Sequence, residues 1–393
     1  EVQLDSPRFD TALSDAAYAL ADELVALVHD VDTVRVEATV DDQKRLIDLD
    51  FSAVFGDQKA WSSRALAERG KHEGAPPDEF WKLPADAQSA GYTEGSDPAT
   101  YERLGAGIGE LADAYLEHEK VSKATRERVT RLLQTYFRWD GEDVRATGSD
   151  PEPAAKGAKS AGNSDWLLVR VDHPPATLKG SPADLLGILD DRELRATVAR
   201  ALKVSEKDLP SGRMVPLHAP GVPAGTKALV IKLPTELGPL FGHSMGLAAK
   251  DAAPSPHEFA IAVVPSGTEA LVATAQSTPV LAARLGEALS GKAPTLATRT
   301  DLAPMRELDA TSAGFTTLLG IVTSAAGRNG SNPGQVAASL PHRATAPLIV
   351  DFWIDPQTGR KARWHLAIPA GVFEDLPGLL PLFAASFADH STP

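Results

Sequence analysis

The sequence predicts an α+β protein that is built from antiparallel β-hairpins, each followed by a helix. Three segments, which begin near residues 34, 258 and 347, show this order. In the first, Val34, Val36 and Val40 alternate with polar residues, and the strand that returns after the turn at Asp41–Lys44 alternates in the same way. A period of two is typical of a strand with one buried and one solvated face. Repeated units of this kind, joined edge to edge, would form helix-backed sheets.

The second and third hairpins are marked by their turns and by the helix starts that follow. The second turns at Ser266-Gly267, and Ser277-Thr278-Pro279 then supplies a hydroxyl N-cap and an early proline for a helix. The third turns at Pro356–Gly359 and also precedes a helical pattern. These signals predict two further hairpin-plus-helix units near the middle and the end of the chain.

An amphipathic helix is predicted at the start of the chain. Leu13, Ala17, Leu20, Leu24 and Leu27 recur at steps of three and four residues. This spacing places all five side chains on one face of a helix.

One segment divides the chain. Gly148–Asp165 is rich in Pro, Gly, Ser, Ala and Lys and has no apolar periodicity, so it is predicted to be a flexible linker. It separates an N-terminal α+β domain, residues 1–147, from a C-terminal α+β domain, residues 166–393, which holds two of the hairpin units. At 393 residues, the chain is long enough for each part to have its own core.

Three short segments resemble a large, uncharacterised family of repeat-bearing bacterial extracytoplasmic proteins. They are Leu83–Ala87 (LPADA), the run from the hairpin at Phe259 to Thr295–Ala297, and Leu366–Pro369 (LAIP) at the end of a hairpin. The resemblance as a whole covers about half of the chain. The resemblance implies a fold and a periplasmic or lipoprotein location. That family has no established catalytic residues, so the resemblance assigns no active site.

Composition excludes several classes of function. The net charge of −14 argues against a nucleic-acid-binding surface, because phosphates repel an acidic chain. The chain has no cysteine, which excludes disulfides, thiolate metal sites and cysteine nucleophiles, and favours an extracytoplasmic location. No stretch has the roughly 18 apolar residues of a membrane span. Because the sequence opens at Glu1 without methionine, we expect a mature chain whose targeting segment or lipid anchor lies outside it.

One motif suggests catalysis. Gly242-His243-Ser244-Met245-Gly246 matches G-x-S-x-G, the nucleophile elbow of α/β-hydrolases, and His342 or His365 could supply the base. The elbow must follow a buried strand, however, and Pro239 lacks the N–H that such a strand would donate. The antiparallel hairpins also disagree with the parallel sheet of that family. We therefore expect Ser244 to be an ordinary turn residue, and the hydrolase remains an alternative.

No cofactor or metal site is predicted, because the ten histidines are scattered and the Gly105–Gly109 run lies inside a helical pattern. His365 alternates with neighbours that place it on the solvated face of its strand. Phe80 and Trp81 follow a Pro-rich loop and are either a lid over the local core or an exposed anchor for a protein partner.

The sequence therefore predicts a non-enzymatic extracytoplasmic protein that acts by binding or by structural assembly, with protein partners in the cell envelope. Two alternatives stay open. One is a serine hydrolase that uses Ser244. The other is a carrier with a cavity for an apolar ligand or lipid between a curved sheet and its helices.

Overall fold

Twelve antiparallel strands form one sheet across the part of the chain that the structure describes. The structure is a computed structural model, and it describes residues 6–69, 74–93, 99–137, 143–151, 163–174, 176–234, 257–321 and 337–388. Along the sheet the strands follow the order β1-β2-β12-β11-β10-β3-β4-β5-β9-β8-β7-β6. Their bounds are β1 Val31–Asp41, β2 Leu46–Phe55, β3 Ser89–Thr93, β4 Asp143–Pro151, β5 Asn163–Asp172, β6 Ser211–Pro216, β7 Lys227–Leu233, β8 His257–Ser266, β9 Glu269–Ala275, β10 Ser312–Thr317, β11 Pro347–Ile354 and β12 Lys361–Pro369.

Several helices start at residues whose side chains cap them. The hydroxyl of Ser277 accepts a hydrogen bond from the N–H of Val280, and Asp191 accepts from the first turn of its helix in the same way. Their bounds are α1 Pro7–Asp30, α2 Trp61–Arg69, α3 Asp78–Trp81, α4 Ala99–His118, α5 Lys123–Phe137, α6 Ser181–Leu189, α7 Arg192–Leu202, α8 Thr278–Ser290 and α9 Ala370–Ala388, with 3-10 segments that include Leu296–Thr298 and Thr300–Glu307.

Helices cover both faces of the sheet. The face that carries Leu168, Ala273 and Phe315, called here the front face, packs under α3, α8 and the two 3-10 segments. The opposite, or back, face packs under α6 at one end and under α2 and α9 at the other. Sequence reasoning placed the helices on one side only. Because antiparallel strands here carry apolar residues on both sides, both faces need a cover.

The predicted helix α1 is present, but a different face of it packs against the protein. Its inward-facing positions include Ala12, Ala16 and Ala19, whereas Leu13 and Leu20 are exposed. Small alanine side chains allow a helix to approach its neighbour closely. The spacing of the leucines thus predicts the helix correctly, but most of these leucines do not lie on the face that α1 buries.

The predicted linker is shorter than its sequence suggested. Gly148–Pro151 belongs to β4 and Asn163–Asp165 belongs to β5, and these two strands pair with each other. Residues 152–162 lie outside the described ranges. The two sides of the predicted boundary also share the sheet, since β2 pairs with β12 and β3 pairs with β10. The division at residues 147 and 166 therefore does not correspond to two separate sheets.

All three predicted hairpins are present, as β1–β2, β8–β9 and β11–β12, and a helix follows each of them. The helices differ in placement, because α8 covers the front face and α9 covers the back face. The fold is thus mixed α and β with a large antiparallel sheet, and the structural similarity of the three hairpin-plus-helix units stays a prediction.

Candidate functional site

A cleft of about 970 Å³ lies on the front face, where strands β2, β12, β11 and β10 end. Its floor is formed by Leu46, Ala367, Ile349 and Thr317, one from each of these strands. Residues at alternate positions point to the same side of a strand, so the register of the four strands places these side chains together. The cleft therefore has a rigid and mainly apolar floor.

One wall of the cleft is a strained turn that a buried carboxylate holds. Arg343 and Ala344 have φ angles of 54° and 56°, a left-handed conformation that costs free energy in residues other than glycine. Asp375 of α9 is fully buried, and it accepts hydrogen bonds from the N–H groups of His342 at 2.9 Å and of Ala344 at 2.7 Å. Two charge-assisted bonds hold the turn in shape, which fixes the direction in which Arg343 leaves the backbone.

The other charged groups at the cleft already have partners. Arg299 pairs with Asp301 and lies 4.7 Å from the ring centroid of Phe315. Asp86 accepts from the buried guanidinium of Arg284, with 2.7 Å between Oδ2 and Nη2. Each of these charges is largely compensated, so neither adds much to the field inside the cleft.

Arg284 is also the centre of a buried network next to the cleft. It binds Asp150 through Nε at 2.9 Å, and its guanidinium lies 4.4 Å from the ring centroid of Trp166. Burial lowers the pKa of Arg284, but the carboxylates of Asp150 and Asp86 outweigh it and raise that pKa above its usual value. This network joins β4, β5, α8 and the loop before β3, and its role is structural.

Arg343 differs from the other cations of the cleft. Its side chain is exposed at the lip, and it has no ion-pair partner among the residues that the structure describes. His342, beside it, contacts the carboxylate of Glu374. An unpaired guanidinium above an apolar floor is the arrangement that binds a molecule with an apolar body and an anionic group.

A second polar cluster lies on the same face, at the next inward-facing position of strands β11 and β12 after Ile349 and Ala367. His365 of β12 lies directly opposite Asp351 of β11, and its Nδ1 is 2.7 Å from that carboxylate. Its Nε2 is 2.9 Å from Asp48 of β2. Hydrogen bonds that the ring donates to both carboxylates, with the bond to Asp351 the larger effect, outweigh burial and raise the pKa of His365 to about 9.

This pKa limits what His365 can do chemically. At neutral pH the ring is protonated, and both of its nitrogens donate to carboxylates. A general base needs a free nitrogen lone pair, so His365 does not meet that requirement. The solvated position predicted for it is corrected to a largely buried one, because the side chain is only 18% exposed.

The residues singled out from the sequence are not brought together. Ser244 lies outside the described residues, so the nucleophile-elbow hypothesis stays untested. Phe80 is fully buried, and its ring lies 5.0 Å from that of Trp81 and 5.8 Å from that of Tyr92. Trp81 is half-buried, with the guanidinium of Arg306 at 4.1 Å. These contacts favour the lid over the exposed partner anchor.

Sequence reasoning missed the two groups that define the cleft. Arg343 stands in the segment Pro341-His342-Arg343-Ala344, which carries no motif, and Asp375 occurs in an unremarkable helical pattern. Their importance comes from a contact between the turn and α9, which no local pattern reveals. For His365 the sequence suggests a candidate base or a solvated strand residue, and it does not indicate the contacts with Asp351 and Asp48.

In the described ranges, no group of three or more His, Asp or Glu side chains is arranged to hold a metal ion. None of the helices in those ranges combines the length and the apolar character that crossing a membrane requires. Comparisons with protein-family models, with curated proteins and with solved structures found no match. The site is therefore argued from its own geometry.

Proposed function

We propose that the protein is a non-enzymatic binding protein that holds an amphipathic, anionic small molecule in the front-face cleft. The observation that carries this proposal is Arg343, which has no ion-pair partner among the described residues, at the lip of a mainly apolar cleft of about 970 Å³. Ligand sites are usually clefts of roughly 300–1,000 Å³ with apolar walls and a few placed polar groups. The cleft agrees with this description in both size and composition.

The charges favour an anionic head group. A carboxylate or phosphate near Arg343 would form a charge-assisted hydrogen bond, whereas a cationic group would be repelled. The apolar part of the ligand would lie on Leu46, Ile349 and Ala367. Because Asp375 holds the turn that carries Arg343, little backbone conformational entropy would be lost on binding.

The chemistry of the cleft supports binding over catalysis. The hydroxyl groups of Thr317 and Thr345 donate to backbone carbonyls of Gln88 and His342. His365 is a cation at neutral pH, and both of its nitrogens are occupied. An activated serine or threonine would instead donate to a neutral imidazole.

We further propose that the protein works outside the cytoplasm, in the periplasm or at the cell surface. The lack of cysteine and the acidic, nucleic-acid-repelling composition support this location. A carrier of amphipathic molecules, or a protein with envelope partners, fits such a compartment.

The test compares three ligands that share a twelve-carbon chain, namely dodecanoate, dodecanol and dodecyltrimethylammonium, by isothermal titration calorimetry. We expect dodecanoate to bind most tightly. Arg343→Ala should weaken the affinity for dodecanoate by about tenfold, because a charged hydrogen bond contributes about 1.5 kcal/mol or more. The affinity for dodecanol should not change.

Two further variants make the result decisive. Arg192→Ala, at an exposed arginine on α7, is the matched control and should leave binding unchanged. Ala85→Trp fills the cleft with a bulky side chain and should abolish binding of all three ligands. Equal affinity for the three head groups, or tight binding by Ala85→Trp, would refute the proposal.

A further inference from the structure

Strand β1 is an edge strand with unusually little protection. It runs for eleven residues, Val31–Asp41, and among the described strands it pairs only with β2. Its free side presents a row of backbone N–H and C=O groups. Natural edge strands are commonly protected by charged side chains, above all lysine, or by proline, a central bulge or short length. β1 has no lysine and no proline, its central charges Arg35 and Glu37 pair with each other, and its one register irregularity lies at its start, between Val31 and Thr33.

The two faces of β1 differ in character. On the back face Val34, Val36 and Val40 are 66%, 61% and 66% exposed, and Phe51 of β2 is exposed beside them. On the front face Arg35 and Glu37 form an exposed ion pair with each other. β1 therefore combines free backbone groups, an uncovered apolar face and two opposite charges two residues apart.

We propose that β1 is a self-association surface, on which the β1 strand of a second copy of this chain pairs antiparallel around a two-fold axis at Val36. Positions equally far from Val36 on either side then lie opposite each other. Val36 faces its own copy, and Arg35 of each chain faces Glu37 of the other. The two sheets become one continuous sheet through an isologous interface.

The charges and the strand length both select this register. Val36 is the midpoint of Val31–Asp41, so the whole strand is paired. An axis at Arg35 or at Glu37 would place like charges directly opposite each other, which is destabilising. An axis at Ala38 would leave the start of β1 unpaired. A copy of the same strand supplies both charges in the matching positions, which is why a second copy is the partner that fits.

Charge reversal tests the register. In analytical ultracentrifugation the wild-type chain should dimerise, and Arg35→Glu or Glu37→Arg should each weaken the dimer by at least about tenfold, since attractive pairs become repulsive ones. The double variant Arg35→Glu/Glu37→Arg restores opposite charges across the axis and should recover most of the affinity. Both side chains are exposed, so folding should survive, and circular dichroism will verify it.

The lack of cysteine gives a direct geometric test. A single Val36→Cys variant should form a disulfide-linked dimer under mild oxidation, because the two cysteines face each other across the axis. Val40→Cys, at an equally exposed valine, is the matched control. In this register its two copies lie about 26 Å apart, eight residues along the strand, and should not cross-link.

The outcomes are distinguishable. A wild-type chain that stays monomeric at several hundred micromolar would overturn the proposal. So would a dimer that both single charge variants leave intact, or equal cross-linking of the two cysteine variants. Arg213→Glu on the opposite edge strand, β6, should leave the dimer unchanged, and loss of the dimer in that variant would assign the interface to another surface.

Discussion

Nδ1 of His365 lies 2.7 Å from the carboxylate of Asp351, which is directly opposite it on the neighbouring strand. Asp48 approaches the other ring nitrogen from the strand on the other side, at 2.9 Å. The ring therefore joins three adjacent strands, β2, β12 and β11, beside the floor of the cleft. The ring donates to both carboxylates only while it is protonated.

This relationship predicts that stability depends on pH. The pKa of His365 is about 9 in the folded protein and about 6.5 in the unfolded chain, so its contribution is complete below about pH 6.5 and is lost as pH rises through about 9. Urea denaturation should show a decrease of about 2–3 kcal/mol in the free energy of unfolding across this range. His365→Gln should remove the decrease, and His173→Gln, at an exposed histidine, should keep it. An unchanged pH profile in His365→Gln would contradict the assignment.

Asp375 should be essential for the turn that forms the lip of the cleft. Asp375→Asn replaces one acceptor oxygen by an amide group that cannot accept from a backbone N–H. We expect a loss of about 2 kcal/mol in stability, together with much weaker dodecanoate binding. Glu374→Gln is the control, because its partners are exposed and an exposed ion pair contributes less than about 1 kcal/mol. Thermal unfolding and calorimetry measure both effects, and equal losses in the two variants would refute the role of Asp375.

Gly314 permits the close approach of strands β10 and β3 at the centre of the sheet. A Cβ at this position would lie 2.6 Å from the backbone oxygen of Ala90 and 3.0 Å from Cα of Gly91. Gly314→Ala should therefore destabilise the protein by about 2 kcal/mol or more, because two paired backbones cannot move apart cheaply. Gly107→Ala in α4 meets no atom within 4 Å and should raise stability by about 0.5–1 kcal/mol. A neutral Gly314→Ala variant would show that the two strands can separate.

Limited proteolysis should distinguish a linker from a domain boundary. The composition of Gly148–Asp165 predicts that trypsin cuts first at Lys156 or Lys159. The two fragments should then co-elute in size-exclusion chromatography without denaturant, because β2 pairs with β12 and β3 pairs with β10. Separation of two folded fragments would support independent domains. First cleavage inside residues 34–54 would contradict the linker.

The reactivity of Ser244 tests the remaining alternative, a serine hydrolase. A serine hydroxyl is a poor nucleophile without an imidazole that accepts its proton and N–H groups that stabilise the oxyanion. The proline before the motif argues against the strand that would present Ser244. A fluorophosphonate probe should therefore leave the chain unlabelled, as judged by intact-protein mass spectrometry. Stoichiometric labelling that disappears in Ser244→Ala would establish a serine hydrolase.

Features that depend on a few neighbouring residues can be predicted from the amino-acid sequence alone. The alternation in Val34–Val40 predicted a strand, and the Ser266-Gly267 turn and the Ser277 cap predicted a hairpin and a helix start that the structure contains. Such patterns work because side-chain direction repeats every two residues in a strand, and because a cap bonds to N–H groups within the next turn.

The order of the strands in the sheet and the choice of covered faces depend on long-range packing, which no local sequence pattern encodes. Asp48 and His365 are separated by 317 residues in the chain, yet they contact each other because β2 pairs with β12. The same pairing creates the cleft, and the contact between α9 and the turn at Arg343 forms its lip. These arrangements are selected by the total apolar area that all elements bury together, and that sum depends on residues far apart in sequence.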